Sequence, residues 1–293
     1  MRWYLMIIPC ECLDLISKSL VDSGFIGKVS PENPDELAAH YLDTKRLDEQ
    51  IQVIEKYRNI TGNFLEVGSG FGGLVTYLNT VKYDRCNAYG LEPSVDAYTG
   101  TIASTRLLVQ ANNISSKFIN GFGENIPFKS NFFDIVYSTS VLEHVKDPEQ
   151  VICEAIRVLK PGGLLQFIIP NYGSWWEGHY GVLMLPHMPK WMFKLYVKIL
   201  GRDPQFVNTL QFINKRSLEK MVKPHKEKVA ILSWGTDLFE HRLKNIDFSE
   251  WASLGKLKKW IILLHKMGLI NVGIRLCRLF NWETPFVLTI RKK

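Results

Sequence analysis

Two carboxylates bracket a run of glycines in this chain: Glu66, then Gly68-Ser69-Gly70-Phe71-Gly72-Gly73, then Glu92. Glycines at this density let a backbone turn sharply and let a ligand approach it with no Cβ in the way. A helix starting after the turn would offer unpaired N–H groups and a positive dipole end, which suit a carboxylate as well as a phosphate. Gly68, Gly70 and Gly73, with Glu92 about twenty residues on, satisfy the dinucleotide fingerprint, so a nicotinamide or flavin oxidoreductase is a rival reading. Glu66 argues the other way. A carboxylate two residues before the first glycine opposes a pyrophosphate but can help to place the ammonium of a methionine-like group. Glu92, directly before Pro93, stands where an acid accepts hydrogen bonds from both ribose hydroxyls. The bland alternative is a tight strand-to-helix turn followed by a solvated acid.

Further along lie groups able to move a proton. His144 follows Val141-Leu142-Glu143, and His179 sits in Trp175-Trp176-Glu177-Gly178-His179-Tyr180. Imidazole is the commonest acid/base side chain near neutral pH, so His144, His179 and Tyr180 are the catalytic candidates. The competing reading makes His144 a helix-start residue and His179 a packed residue. Trp175, Trp176 and Tyr180 can stack on a sugar or ring, or form core of their own.

These groups need a scaffold. Leu37, Tyr41, Leu47, Ile51 and Ile54 recur at helical spacing, predicting one amphipathic helix over 35–57, started by Asn33-Pro34. Residues 63–67, 88–91, 118–119, 134–137 and 164–169 read as short strands. Helices are expected over 94–111 and from Asp147-Pro148 to Lys160, the second stopped by Pro161-Gly162-Gly163. This alternation predicts an α/β fold with a doubly wound, mainly parallel sheet. Residues 228–234 and 286–290 add two strands, giving seven. The domain reading is a helical leader over 1–60, a ligand-binding core over 61–170 and a substrate lid over 171–227. The sixth strand, a basic helical insertion and a closing strand fill 228–293.

Composition bounds the rest. A hydrophobic fraction of 46% with 22% charged residues describes an ordinary globular protein and excludes a disordered or low-complexity chain. The net charge of +7 favours an anionic partner. Cys10, Cys12, Cys86, Cys153 and Cys277 are scattered and odd in number, which argues against a disulfide framework and fits a cytoplasmic setting. Cys10 and Cys12 have no second pair to complete a zinc site, and no metal centre is expected. No nucleic-acid module is visible. Within 255–280, lysines and arginines alternate with Leu257, Trp260, Ile261, Leu264, Ile274 and Leu279. Such a segment can make peripheral contact with an anionic membrane, or cap the protein with its lysines in water.

Four motifs occur in order: the glycine turn; Gly121-Phe122-Gly123-Glu124-Asn125-Ile126-Pro127-Phe128; Val141-Leu142-Glu143-His144-Val145-Lys146-Asp147-Pro148; and Arg157-Val158-Leu159-Lys160-Pro161-Gly162-Gly163. Over roughly residues 61–172 this series resembles the class I S-adenosylmethionine (SAM)-dependent methyltransferases of small-molecule type. The resemblance implies a Rossmann-like sheet with an antiparallel last strand, SAM as cofactor, and transfer of its methyl group to an oxygen or nitrogen acceptor. By it, Gly68, Ser69 and Gly70 would contact the methionine part, with Glu66 nearby, and Glu92 and Pro93 would border the ribose. Gly123 and Glu124 would flank the adenine, and Ser138 would lie beside the amino-acid end. Many relatives carry Asp where this chain has Phe122, which could pack on the ring while Glu124 takes the polar contact. Glu177-Gly178-His179-Tyr180 and Gly201-Arg202-Asp203-Pro204 resemble short segments of bacterial methyltransferases of surface-glycan pathways, implying a small-molecule or glycan-type acceptor.

Overall fold

The computed structural model describes residues 5–82, 85–93, 99–115, 117–246 and 255–293. The expected helix start at 94–98 and residues 247–254, just before the basic segment, lie outside the described residues.

Seven strands form one sheet in the order β3-β2-β1-β4-β5-β9-β8. They are β1 (Gly62–Val67), β2 (Cys86–Glu92), β3 (Phe118–Asn120), β4 (Phe133–Thr139), β5 (Leu159–Ile169), β8 (Val229–Ser233) and β9 (Phe286–Lys292). The first five run parallel, and β9 is antiparallel to both β5 and β8. This is the mainly parallel, seven-stranded Rossmann-like sheet expected, with order reversing between β1 and β4, where open sheets bind ligands at the carboxyl ends of their strands. Both faces are covered. One carries Leu65, Val67, Val136, Leu165 and Phe167; the other carries Phe64, Ile135, Tyr137 and Leu164. That explains why these strands read as continuous apolar runs.

The helices before the sheet are α1 (Cys10–Asp22), α2 (Pro34–Leu42) and α3 (Thr44–Glu55). The single helix expected over 35–57 is therefore two. Asp43 is extended (φ −62°, ψ 115°), and its side chain accepts the Lys45 N–H, so one residue ends α2 and caps α3. Helices α4 (Gly73–Tyr77), α5 (Thr99–Ala111) and α6 (Pro148–Val158) connect the strands. Helix α6 stops two residues before the expected Lys160, because Leu159 turns extended (ψ 137°) and opens β5; Pro161-Gly162-Gly163 lies within that strand.

After β5 comes a hairpin of β6 (Trp176–Glu177) and β7 (Val182–Leu183), then α7 (Lys190–Ile199), α8 (Phe206–Thr209) and α9 (Lys215–Val222). Tyr172, Tyr180, Met184, Phe193, Val197 and Leu210 give this segment an apolar core. Between β8 and β9 lie α10 (Thr236–Asn245), α11 (Gly255–Lys266) and α12 (Ile270–Phe280). Ile261, Ile270 and Ile274 pack on Phe239 and Leu243. Trp260, Leu263, Met267, Val272, Leu279 and Phe280 remain exposed, as do Trp191, Leu195 and Ile199 at four-residue spacing along α7. No helix among the described residues is long and apolar enough to cross a membrane.

Asp134 ties the amino ends of β1, β4 and β5 together. Its Oδ2 accepts the Asn63 N–H at 2.9 Å and Lys160 Nζ at 2.6 Å, and its Oδ1 accepts Arg58 Nη2 at 3.2 Å. Burial pushes the carboxyl up, but Lys160, the Asn63 N–H and Arg58 outweigh it and hold the group below the usual carboxylate range. The folded pKa thus lies below an unfolded value of about 3.9, so the stabilisation is complete above about pH 4 and fades as pH falls through the folded value. Lys160 and Arg58 are partly exposed. We expect Asp134→Asn to cost about 1 kcal/mol at pH 7, screening included. Urea unfolding of both proteins from pH 7 to pH 3 should show the gap closing with acid.

Candidate active site

The chain leaves β1 through a turn with left-handed φ at Gly68 (+74°), Gly70 (+51°) and Gly72 (+81°), and then enters α4. The Gly68 and Ser69 N–H groups both donate to the Leu91 carbonyl, at 2.8 and 3.1 Å, which pins the turn to the end of β2. A Cβ on Gly68 would lie 2.2 Å from Val141 Cγ2, so the loop after β4 packs directly on the turn. On Gly70 a Cβ would meet nothing within 4 Å. That side of the turn is open to a ligand.

The flanking acids behave differently from solvated ones. The Gly70 N–H donates to Glu92 Oε2 at 2.9 Å, and burial raises the Glu92 carboxyl despite that bond. Glu66 is buried, and its Oε2 has no hydrogen-bond partner; neither has the buried Ser69 Oγ. Burial, then the nearby Glu92 charge, push Glu66 up to about 8, with Arg46 opposing. Arg46, on α3, was not legible as a site residue. Its Nε is likewise buried and unpartnered, and its only sequence signal is a cation beside Leu47 on an amphipathic helix. A buried acceptor, a partly buried cation with an unpartnered Nε, a second acid at the end of β2 and an open glycine are groups that fit the zwitterionic end and ribose of SAM.

The remaining cofactor candidates divide. Pro93 directly follows Glu92 and is partly buried. Phe122 is half exposed. Gly123 is closely backed, since a Cβ there would lie 3.1 Å from Val67 and 3.2 Å from Val151. Glu124 is engaged elsewhere: its Oε1 accepts the Lys146 N–H at 3.0 Å and the Asp147 N–H at 3.4 Å, fixing the loop before α6. Ser138 is buried and donates to the Val67 carbonyl at 2.8 Å, so its hydroxyl joins β4 to β1.

The two histidines, 35 residues apart in sequence, meet. His144 Nε2 and His179 Nε2 are 3.1 Å apart, their rings perpendicular. His179 Nδ1 lies 2.7 Å from Glu177 Oε1, and Glu177 Oε2 accepts the Tyr180 N–H at 2.8 Å. Burial pulls the His179 imidazole down, but Glu177 outweighs it and the net shift is upward; burial and His179 hold His144 below the imidazole range. Glu143 was missed by sequence reasoning. Its carboxylate is fully buried with both oxygens unpartnered, its Oε1 is 4.0 Å from His144 Nε2, and burial pushes it up to about 7. Tyr180 leaves the catalytic set: it is fully buried against Phe193 and Phe206, and its hydroxyl donates to the Asp203 carbonyl at 2.5 Å. Trp175 instead packs edge-on against Trp282.

Residues 65–167, from within β1 to within β5, match the family described as "Methyltransferase domain". The chain carries a class I SAM-dependent methyltransferase domain. The chain is 29% identical to norajmaline N-methyltransferase of Rauvolfia serpentina, over 34% of this chain and 33% of that protein. It is 30% identical to the chloroplastic 2-methyl-6-phytyl-1,4-hydroquinone methyltransferase 1 of Oryza sativa, over 52% of this chain and 43% of that protein. The match thus spans less than half the length of these curated relatives. Among solved structures, Haemonchus contortus phosphoethanolamine N-methyltransferase 2 in complex with SAM aligns with a TM-score of 0.46 at 16% identity, covering 83% of this chain and 51% of that one.

The methyltransferase domain requires glycine at position 68 on two grounds, φ and space. Gly68→Ala is expected to cost roughly 2–5 kcal/mol from left-handed strain and the overlap with Val141. Adding Val141→Ala should return the packing part alone. Urea unfolding of the single and double variants separates the two contributions.

Proposed function

We propose that the protein transfers the methyl group of SAM to an oxygen or nitrogen nucleophile on a small-molecule, glycan-type or lipid-linked acceptor. The observation that carries this reading is the buried, unpartnered Glu66 Oε2 beside a glycine turn whose outer side is open. An ammonium bound there would ionise Glu66 and relieve an otherwise costly buried acceptor. Arg46 would receive the carboxylate of the same amino-acid end, and Glu92 would exchange its Gly70 contact for the ribose hydroxyls. A pyrophosphate would instead meet two acids, which disfavours the nicotinamide reading.

SAM supplies an activated methyl whose thioether leaving group needs no proton. The chain's task is then to hold acceptor and methyl in line and keep water out. The segment between β5 and α9 supports a substrate-covering role. It brings His179 onto the loop that follows β4, and the Gln211 N–H donates to the Glu143 carbonyl at 2.6 Å, clamping that loop. The histidine pair is the part of the site suited to handling the acceptor.

Gly70→Ala tests the reading, because the turn has room for a methyl group while the ligand does not. Strain at φ +51° should cost about 1–2 kcal/mol of stability. Affinity for S-adenosylhomocysteine, measured by calorimetry on the folded variant, should fall at least tenfold. Absence of any S-adenosylhomocysteine binding by the unaltered chain would sink the proposal.

The exposed apolar residues of α7, α11 and α12 support a peripheral membrane location. On α7, exposed Lys198 stands beside Trp191, Leu195 and Ile199, whereas Lys190 and Lys194 donate to the Leu210 carbonyl and the Asn208 side chain. The protein should sediment with vesicles containing phosphatidylserine and much less with phosphatidylcholine alone. Trp191→Glu and Trp260→Glu together should abolish the difference while leaving S-adenosylhomocysteine binding intact.

A further inference from the structure

We propose that Glu143, His144 and His179 form a binding site for one divalent first-row transition ion, of which Zn²⁺ is the best probe. The inference stands on the cluster alone and does not rest on the methyl-transfer reading. Glu143, His144 and His179 each offer a ligand atom, and these atoms all lie within 4.8 Å of one another. The facing Nε2 atoms are 3.1 Å apart, close to the separation of about 3.3 Å that two nitrogens take around a tetrahedral ion at about 2.0–2.1 Å. Glu143 Oε1, 4.0 Å from His144 Nε2, closes on the same point by a small rotation.

The chemistry of the cluster is unbalanced without a cation. With Glu177 accepting from His179 Nδ1, loss of the Nε2 proton of His179 would turn that atom into a lone pair facing His144. A single proton can lie between the two Nε2 atoms, and it does nothing for Glu143, whose two buried oxygens have no partner. An ion at this point would use both imidazoles and the orphaned carboxylate. The shared proton would move to His144 Nδ1, so that both Nε2 atoms ligate. The Glu177–His179 contact is the arrangement that orients metal-bound imidazoles and raises their basicity. The Tyr180 N–H and the Tyr172 hydroxyl, 3.4 Å from Glu177 Oε1, hold that carboxylate in turn.

Two imidazoles and one carboxylate leave coordination positions open, the pattern of sites that bind an exchangeable oxygen rather than of closed structural sites. Val141, on the same loop, packs against Gly68, so these positions would lie one loop from the cofactor turn. An acceptor hydroxyl bound there would be more acidic than in water. The spacing of His144 and His179 in sequence does not reveal the site, because its ligands come from two loops that meet only in the fold.

The test uses the tag-free full chain, stripped with a chelator. Titration with Zn²⁺ should show one ion bound per chain and a raised melting temperature. Co²⁺ should give visible absorption bands of a low-coordinate nitrogen–oxygen site. Glu143→Gln and His179→Ala should weaken Zn²⁺ binding at least 100-fold, and Glu177→Gln roughly 10- to 100-fold. Melting curves without metal check that each variant folds, and the Co²⁺ spectrum of the unaltered chain needs no variant. Failure to take up stoichiometric Zn²⁺, Co²⁺ or Mn²⁺ overturns the proposal. So does uptake that His144→Ala and His179→Ala leave unchanged, since that locates the ion elsewhere. S-adenosylhomocysteine binding, measured in parallel, fails only if the cofactor reading fails.

Discussion

The turn at Gly68 organises the molecule. Its two N–H groups share the Leu91 carbonyl, and its missing side chain is filled by Val141. Those contacts lock the carboxyl ends of β1, β2 and β4 at one point. Glu66, Glu92 and the loop carrying Glu143 and His144 are brought together as a result. A side chain at position 68 would have to displace Val141, and the loop after β4 with it. The acids, the histidines and the glycines are therefore parts of one packing solution.

The electrostatics of that point follow from burial. Glu66 and Glu143 are both removed from water with oxygens left unpartnered, a state that native structures seldom tolerate without a use for it. Each lies beside a cationic or proton-bearing group that does not hydrogen-bond to it: Arg46 near Glu66, His144 near Glu143. The opposite end of the sheet shows the contrast. Asp134 has three partners and is stabilised as an anion, and its role is to bind strands together. A satisfied acid, Asp134, thus sits at the amino ends of the strands, and the unsatisfied Glu66 and Glu143 sit at or beyond the carboxyl ends.

Much of the fold was legible because the central strands are covered on both faces and so appear as bare apolar runs between turn signals. The glycine turn and Glu92 were legible by spacing. Boundaries set by single residues were not. Asp43 breaks a periodic apolar pattern that runs on through both helices, and no pattern shows a residue serving as stop and cap at once. Leu159 ends α6 because strand pairing with β4 outcompetes a last helical turn, a tertiary effect. Tyr180 looked like a site residue beside His179, yet its ring is needed by the core of the segment after β5. Arg46, Glu143 and the facing of His144 with His179 depend on packing between distant segments, and local spacing carries no trace of that.

The placement of β9 has a consequence for biosynthesis. This strand pairs over six residues with β5 and also with β8, so it fills the gap between two strands made before it. As the chain leaves the ribosome, the edge of β5 stays without its partner until residues 286–292 emerge, more than a hundred residues after Ile169. A nascent chain therefore presents Leu164 to Ile169, an apolar strand with an open edge, throughout that interval. The segment from α7 to α9 and the helices α10 to α12 are made while this edge waits. Nascent-chain protection, by a chaperone or by the first of these helices folding over the sheet, is the requirement this topology imposes.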